Sequence, residues 1–172
     1  GGPAADRMAA QNAASQTGYT NRPIVVLDGN GGNGDGLYLS NAADGSTIRG
    51  LVIRGFSANG IYVQAASDGN TIVGNYIGSF NADGSNAGST KRNLSEGIES
   101  YGANLTIGGT TALDRNVISG NASAYNIYLA SGADGTVVKG NYIGLNAAGT
   151  STFSTTNGNY GVCNGLNATR EL

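Results

Sequence analysis

One phrase in this chain repeats, and the repeat restricts the fold more than any other feature. GIYVQAASDGNTIVGNYIGS, from Gly60 to Ser79, returns from Asn126 to Leu145 as NIYLASGADGTVVKGNYIGL, and a looser copy, GLYLSNAADGSTIRGLVIRG, runs from Gly36 to Gly55. Each copy holds a short alternating apolar run, a small-residue turn ending in Asp-Gly, a second short run, a glycine and a third run. Such a unit cannot bury its apolar face alone and must stack on its neighbours.

Aligning the copies assigns the strands. In the first run Leu37, Leu39, Ile61, Val63, Ile127 and Leu129 fall at i and i+2, so they share one face and leave Tyr38, Tyr62 and Tyr128 on the other. Ile48, Ile72 and Val138 coincide in the second run, and Ile53, Ile77 and Ile143 in the third. No run exceeds about five residues, and none has a helical period. Turns this tight leave no room for helical crossovers. Each unit is therefore expected to form one coil, with equivalent residues stacked about 4.7–4.9 Å apart and every strand pairing in parallel with the next coil. The predicted fold is all-β, a single-stranded parallel β-helix of about five coils with three short strands per coil.

Coil starts fall at Gly36, Gly60, Gly97, Asn126 and Gly161. The uneven spacing comes from two loops, Asn81 to Glu96 and Asn146 to Tyr160, which both follow Asn-Tyr-Ile-Gly and recur on every second coil. The coil between them continues the interior columns with Ile98, Ile107 and Ile118. Asn75, Asn116 and Asn141 line up in the third run as an asparagine ladder, a structural device that satisfies buried polar groups.

Glycine is abundant, at 30 residues, which suits a chain with many turns, and the regular apolar runs argue against disorder. With a net charge of −2 and no basic cluster, nucleic acid is not an expected partner. No apolar run reaches the roughly 18 residues of a membrane span. No signal peptide is visible, so the chain reads as mature, trimmed or a fragment. The single Cys163 rules out an internal disulfide. Residues 1–15 lack the pattern and read either as an N-terminal cap or as a linker to the β-helix of residues 16–172. The final GVCNGLNATREL stops inside a coil, so the expectation is that the polypeptide continues or another subunit completes the stack.

SQTGYTNRPIVVLDG, STIRGLVIRGF, GNYIG followed by an NAxG loop, and IGGTTALDRNVISGN together resemble the bacterial secreted and cell-surface right-handed parallel β-helix repeat proteins. The resemblance covers Ser15 to the end. It implies a right-handed helix and an exported protein, extracellular or on the cell surface, but no single activity. GNGGNGDG, from Gly29 to Gly36, also partly resembles a calcium-binding nonapeptide of another β-roll class. Asp35 comes one residue early and the motif occurs once, so a simple bend without a cofactor is expected, with calcium as the alternative.

Candidate chemistry is sparse. Lyases and hydrolases of polysaccharides also use this fold, and hydrolysis generally needs two carboxylates flanking the bond. Asp44, Asp68 and Asp134 each sit in an Asp-Gly turn, where backbone reasons alone favour aspartate. Glu96 and Glu99, with Lys91 and Arg92 in the nearby loop, form the one conceivable lyase constellation, and no histidine is present to shuttle protons. Sequons at Asn93, Asn104, Asn121 and Asn167 carry little weight in a bacterial setting. The outward tyrosines, Tyr38, Tyr62 and Tyr128 from the first run and Tyr76 and Tyr142 from the third, are the candidate glycan or protein contact surface, with Cys163 at the same outward place. Good β-formers stacking on one another would produce the same pattern. The expectation is a non-enzymatic extracellular scaffold that adheres to a polysaccharide or cell-surface ligand and self-associates, including end to end into filaments. The alternative is an enzyme or binder acting on an acidic polysaccharide.

Overall fold

The computed structural model describes residues 23, 25–32, 34–153 and 160–165. The N-terminal segment 1–15 and the close of the last coil, residues 166–172, lie outside these. In chain order the strands begin with β1 (Val25–Asp28), β2 (Leu37–Leu39), β3 (Thr47–Arg49), β4 (Leu51–Arg54) and β5 (Ile61–Val63). They continue with β6 (Thr71–Val73), β7 (Tyr76–Gly78), β8 (Ile98–Ser100), β9 (Thr106–Gly108) and β10 (Val117–Ser119). The last are β11 (Tyr125–Leu129), β12 (Val137–Lys139), β13 (Tyr142–Ile143) and β14 (Tyr160–Asn164).

Every pairing between these strands is parallel, and each strand pairs with its equivalent one coil away. Sheet I stacks β2, β5, β8, β11 and β14; sheet II stacks β3, β6, β9 and β12; sheet III stacks β1, β4, β7, β10 and β13. Three such sheets around one axis make the chain a parallel β-helix solenoid. PIVVLD supplies β1 and so belongs to sheet III, one coil before Gly36.

The register explains the core. Ile61 pairs with Leu37 and Ile98, Ile72 with Ile48 and Ile107, and Ile77 with Ile53 and Ile118, so like residues form columns along the axis. Ile53, Ile61, Ile72, Ile77, Ile98, Ile107, Ile118 and Ile127 are completely buried. Each contributes on the order of 1.5–3 kcal/mol relative to exposure.

The asparagines sit at the corner between sheets II and III. The Asn75 amide donates to the Ile48 carbonyl at 2.9 Å and to Asn116 Oδ1 at 3.1 Å. Asn116 repeats this with Ile72 at 2.7 Å and Asn141 at 3.0 Å, and Asn141 donates to Ile107 at 2.8 Å. Backbone N–H groups of Leu51, Asn75 and Asn116 donate in turn to the side-chain oxygens one coil on. A second ladder, not anticipated from the sequence, occupies the corner between sheets III and I. There Asn93 donates to Asn121 Oδ1 at 3.0 Å and Asn121 to Asn126 Oδ1 at 3.2 Å. Asn93 and Asn121 are buried in this ladder and cannot carry a glycan, whereas Asn104 is exposed.

The two loops correct one expectation. Phe80 and Phe153 fold back over the outer face of sheet III and pack with Val52, Tyr76 and Val117 in a second apolar cluster. Tyr76 is therefore 7 % exposed instead of free on the surface. Tyr142 is half-buried beside the same cluster, with the Arg115 guanidinium 4.2 Å from its ring centre. Both side chains point away from the axis as the period of 2 requires, but burying an outer Val-Tyr-Val-Tyr column under two phenylalanines removes more apolar area from water than leaving it bare. The contact surface thus loses Tyr76, while Tyr142 stays half-buried against Arg115.

An ion cluster ties the first loop down. Arg54 lies 3.0 Å and Lys91 2.9 Å from Asp28 Oδ2, and Arg54 also donates to the Phe80 carbonyl at 2.8 Å. Burial pushes the Asp28 carboxyl up, but hydrogen bonds from Lys91, the Asn30 amide and Arg54, together with the Arg54 charge, hold it below its ordinary 3.8. A lowered folded value means that this stabilisation is present above the ordinary pKa and lost as the carboxyl protonates below it. Asp28→Asn is expected to cost about 1 kcal/mol at neutral pH, since the group is partly exposed. Urea unfolding of both proteins should show the gap closing below pH 3.8; a gap that persists there would assign the loss to something other than charge.

Candidate functional site

With sheet III covered by loops, the outer face of sheet I becomes the side of the solenoid where aromatic rings remain accessible. Strand alternation places one outward residue per coil in a single column, Tyr38, Tyr62, Glu99, Tyr128 and Cys163, each paired with the next. Tyr101, Tyr125 and Tyr160 flank it. Tyr38 and Tyr160 are 55 % and 58 % exposed.

Ring geometry decides what this column can offer. Tyr38 and Tyr62 lie with centres 5.2 Å apart and planes within 16°. Parallel rings that close must overlap, because rings lying side by side in one plane are held farther apart by their own edges. The two rings thus partly cover one another's faces and turn edges outward. Tyr62 to Tyr101 at 5.8 Å, Tyr125 to Tyr128 at 5.5 Å and Tyr125 to Tyr160 at 5.5 Å extend the array. A flat platform for a sugar ring is available only on a free terminal face such as that of Tyr38. Along the rest, the surface is a comb of ring edges, with the Tyr101 hydroxyl engaged by Glu99 and the Tyr125 hydroxyl by Cys163.

Glu99 interrupts the comb. Asn59 donates to its Oε2 at 2.9 Å, and Tyr101 is hydrogen-bonded to it. The Glu99 charge, followed by burial, raises the Tyr101 phenol, and burial, followed by Glu99, raises Tyr62. Both phenols therefore hold their protons more tightly than a free tyrosine.

The corner leading into sheet I is also acidic and well ordered. Asp35 accepts from the Asn59 N–H at 2.9 Å, and the Asn59 oxygen accepts from the Glu96 N–H at 3.0 Å. Glu96 accepts from Ser123 at 2.5 Å and from Ser95. At the far corner, Asp44 caps the Asp68 N–H and Asp68 caps the Ala103 N–H, both at 2.8 Å. These two aspartates support turns, coil upon coil.

Each member of the conceivable lyase constellation already has a partner. Lys91 is engaged by Asp28 and Asn30, Arg92 by the Ser89 carbonyl, Glu96 by two serines, and Glu99 by Asn59 and Tyr101. Among the described residues no three His, Cys, Asp or Glu side chains converge on a point that could hold a metal ion. No described helix is long and apolar enough to cross a membrane. Comparisons with protein-family models, curated proteins and solved structures returned no match.

Sequence reasoning found the Tyr38, Tyr62 and Tyr128 column and the place of Glu99 within it. It missed Tyr101, Tyr125 and Tyr160. Tyr101 follows its strand directly and Tyr125 opens the next strand, so a reading confined to equivalent strand positions passes over them.

Proposed function

We propose that this chain is a non-enzymatic structural and adhesive scaffold that works outside the cell, with the outer face of sheet I as its binding side. The observation that carries this reading is the stacking of the exposed Tyr38 on the half-buried Tyr62, continued by Tyr101, Tyr125, Tyr128 and Tyr160. Rings packed against one another lose little further entropy on binding, and a row of aromatic side chains along the axis suits an extended polymer. The resemblance to exported repeat proteins supports the location.

The test is retention on an immobilised glycan panel. The wild-type chain should be held by at least one polysaccharide class, and the Tyr38→Ala/Tyr62→Ala double variant should lose roughly tenfold or more in affinity, as aromatic hot spots do, while keeping its thermal unfolding temperature within a few degrees. Binding that survives the double variant would move the site elsewhere, and a chain held by no glycan would remove the adhesive reading.

A further inference from the structure

The distribution of charge around the solenoid is lopsided. The segments that build sheet I and the corners on either side of it, the first four each ending where a strand of sheet II begins, are residues 34–46, 57–70, 94–105, 120–136 and 160–165. Together they contain Asp35, Asp44, Asp68, Glu96, Glu99 and Asp134, and not one lysine or arginine. The described cations, Arg49, Arg54, Lys91, Arg92, Arg115 and Lys139, all fall in other segments. Three of them are already engaged there, Arg54 and Lys91 with Asp28 and Arg49 with Asp114 at 3.7 Å. A chain of net charge −2 thus carries a much more negative side than its total suggests.

We infer that the ligand of sheet I is a cationic amino-sugar polymer, one whose sugar units carry free amines, read by Glu99 within the tyrosine comb. This inference rests on the adhesive reading and narrows it. Glu99 is the one charged side chain in the outward column, between Tyr62 and Tyr128, and Asn59 and Tyr101 hold it in place. An ammonium beside it gains a charge-assisted hydrogen bond to the carboxylate. The hydroxyls of the exposed Tyr38 and Tyr160 offer both a donor and an acceptor to sugar hydroxyls. A polyanion such as pectin or alginate meets six carboxylates and no compensating cation on this side, so the same electrostatics argue against an acidic polysaccharide here.

Calorimetric titration of the full chain with four probes tests this: a glucosamine oligomer, its fully N-acetylated counterpart, polygalacturonate and polylysine. The glucosamine oligomer should bind tightest, weaken as salt rises, and lose about tenfold with Glu99→Gln, whereas any affinity for the acetylated oligomer should not change. Glu99→Gln keeps the shape and an oxygen for Asn59, so folding should be intact, as a thermal melt will show. Equal affinity for the two neutral and cationic oligomers, or preference for polygalacturonate, would overturn the inference while leaving the adhesive reading standing. Polylysine binding better than the glucosamine oligomer would show that charge alone is read and would equally overturn the sugar assignment. If no glycan of any charge binds, the adhesive reading falls with it.

Discussion

Replacing Asn116 by alanine is expected to destabilise the protein by about 2–5 kcal/mol, more than most surface-to-core substitutions in a chain of this size. Asn116 is fully buried, and its amide makes the bonds of two coils at once. Its nitrogen donates to the Ile72 carbonyl and to Asn141, and its oxygen accepts from both the backbone and the side chain of Asn75. Truncation takes from the Asn75 N–H and the Ile72 carbonyl the partners that this amide supplies, at about 1–3 kcal/mol for each buried polar group left unmade, and leaves a small void besides. Asn116→Asp should be no better, since it removes the donor and buries a charge. Urea unfolding followed by circular dichroism measures the loss, and a cost below 1 kcal/mol for Asn116→Ala would show the ladder to be ornament.

Gly78→Ala should be worse still, while the same change at Gly45 is mild. Gly78 ends β7 at φ +123°, and a Cβ there would lie 1.8 Å from the Ser119 carbonyl oxygen of the next coil. That oxygen belongs to backbone hydrogen-bonded to the Ser79 N–H, so it cannot step aside without opening the stack. Gly45 also has a positive φ, +63°, but its Cβ would meet nothing within 4 Å. Gly45→Ala carries only the left-handed penalty, about 1–2 kcal/mol. Gly78→Ala should exceed it by several-fold and is expected to leave little folded protein in a thermal scan. Comparable melting temperatures for the two variants would mean that adjacent coils separate more easily than the interior columns imply.

How far the sequence could be read follows from what repeats in it. The interior columns and the Asn75–Asn116–Asn141 ladder were visible because period 2 and a constant offset from the Asp-Gly turn place their members at matching points of each phrase. The second ladder was hidden because Asn93 sits at the end of a long loop, Asn121 just after a strand and Asn126 within one, so no shared phrase aligns them. The burial of Tyr76 and Tyr142 was hidden for a related reason. Strand alternation states which way a side chain points but not what a non-repeating loop lays over it, and Phe80 sits just before the first loop and Phe153 within the second. The acid-only side of the helix was present in the composition of each segment, yet it appears only when the coils are stacked and separate segments become neighbours.

The contact between Phe80 and Phe153, 4.4 Å between ring centres, has a consequence for how such a stack comes apart. In a solenoid each coil ordinarily communicates only with those directly above and below, so disruption in one coil can divide the rod into halves that melt separately. Phe80 follows β7 and Phe153 follows β13, and β10 lies between those strands in sheet III. The pair therefore couples coils that are next-nearest neighbours, bridging outside the one between them. A side chain at Gly84 would run into Ala147, so the loops meet along their length as well. A one-dimensional array with second-neighbour coupling has longer cooperative blocks than the coils alone would give, and the loops that interrupt the repeat are the parts that make three successive coils rise and fall together.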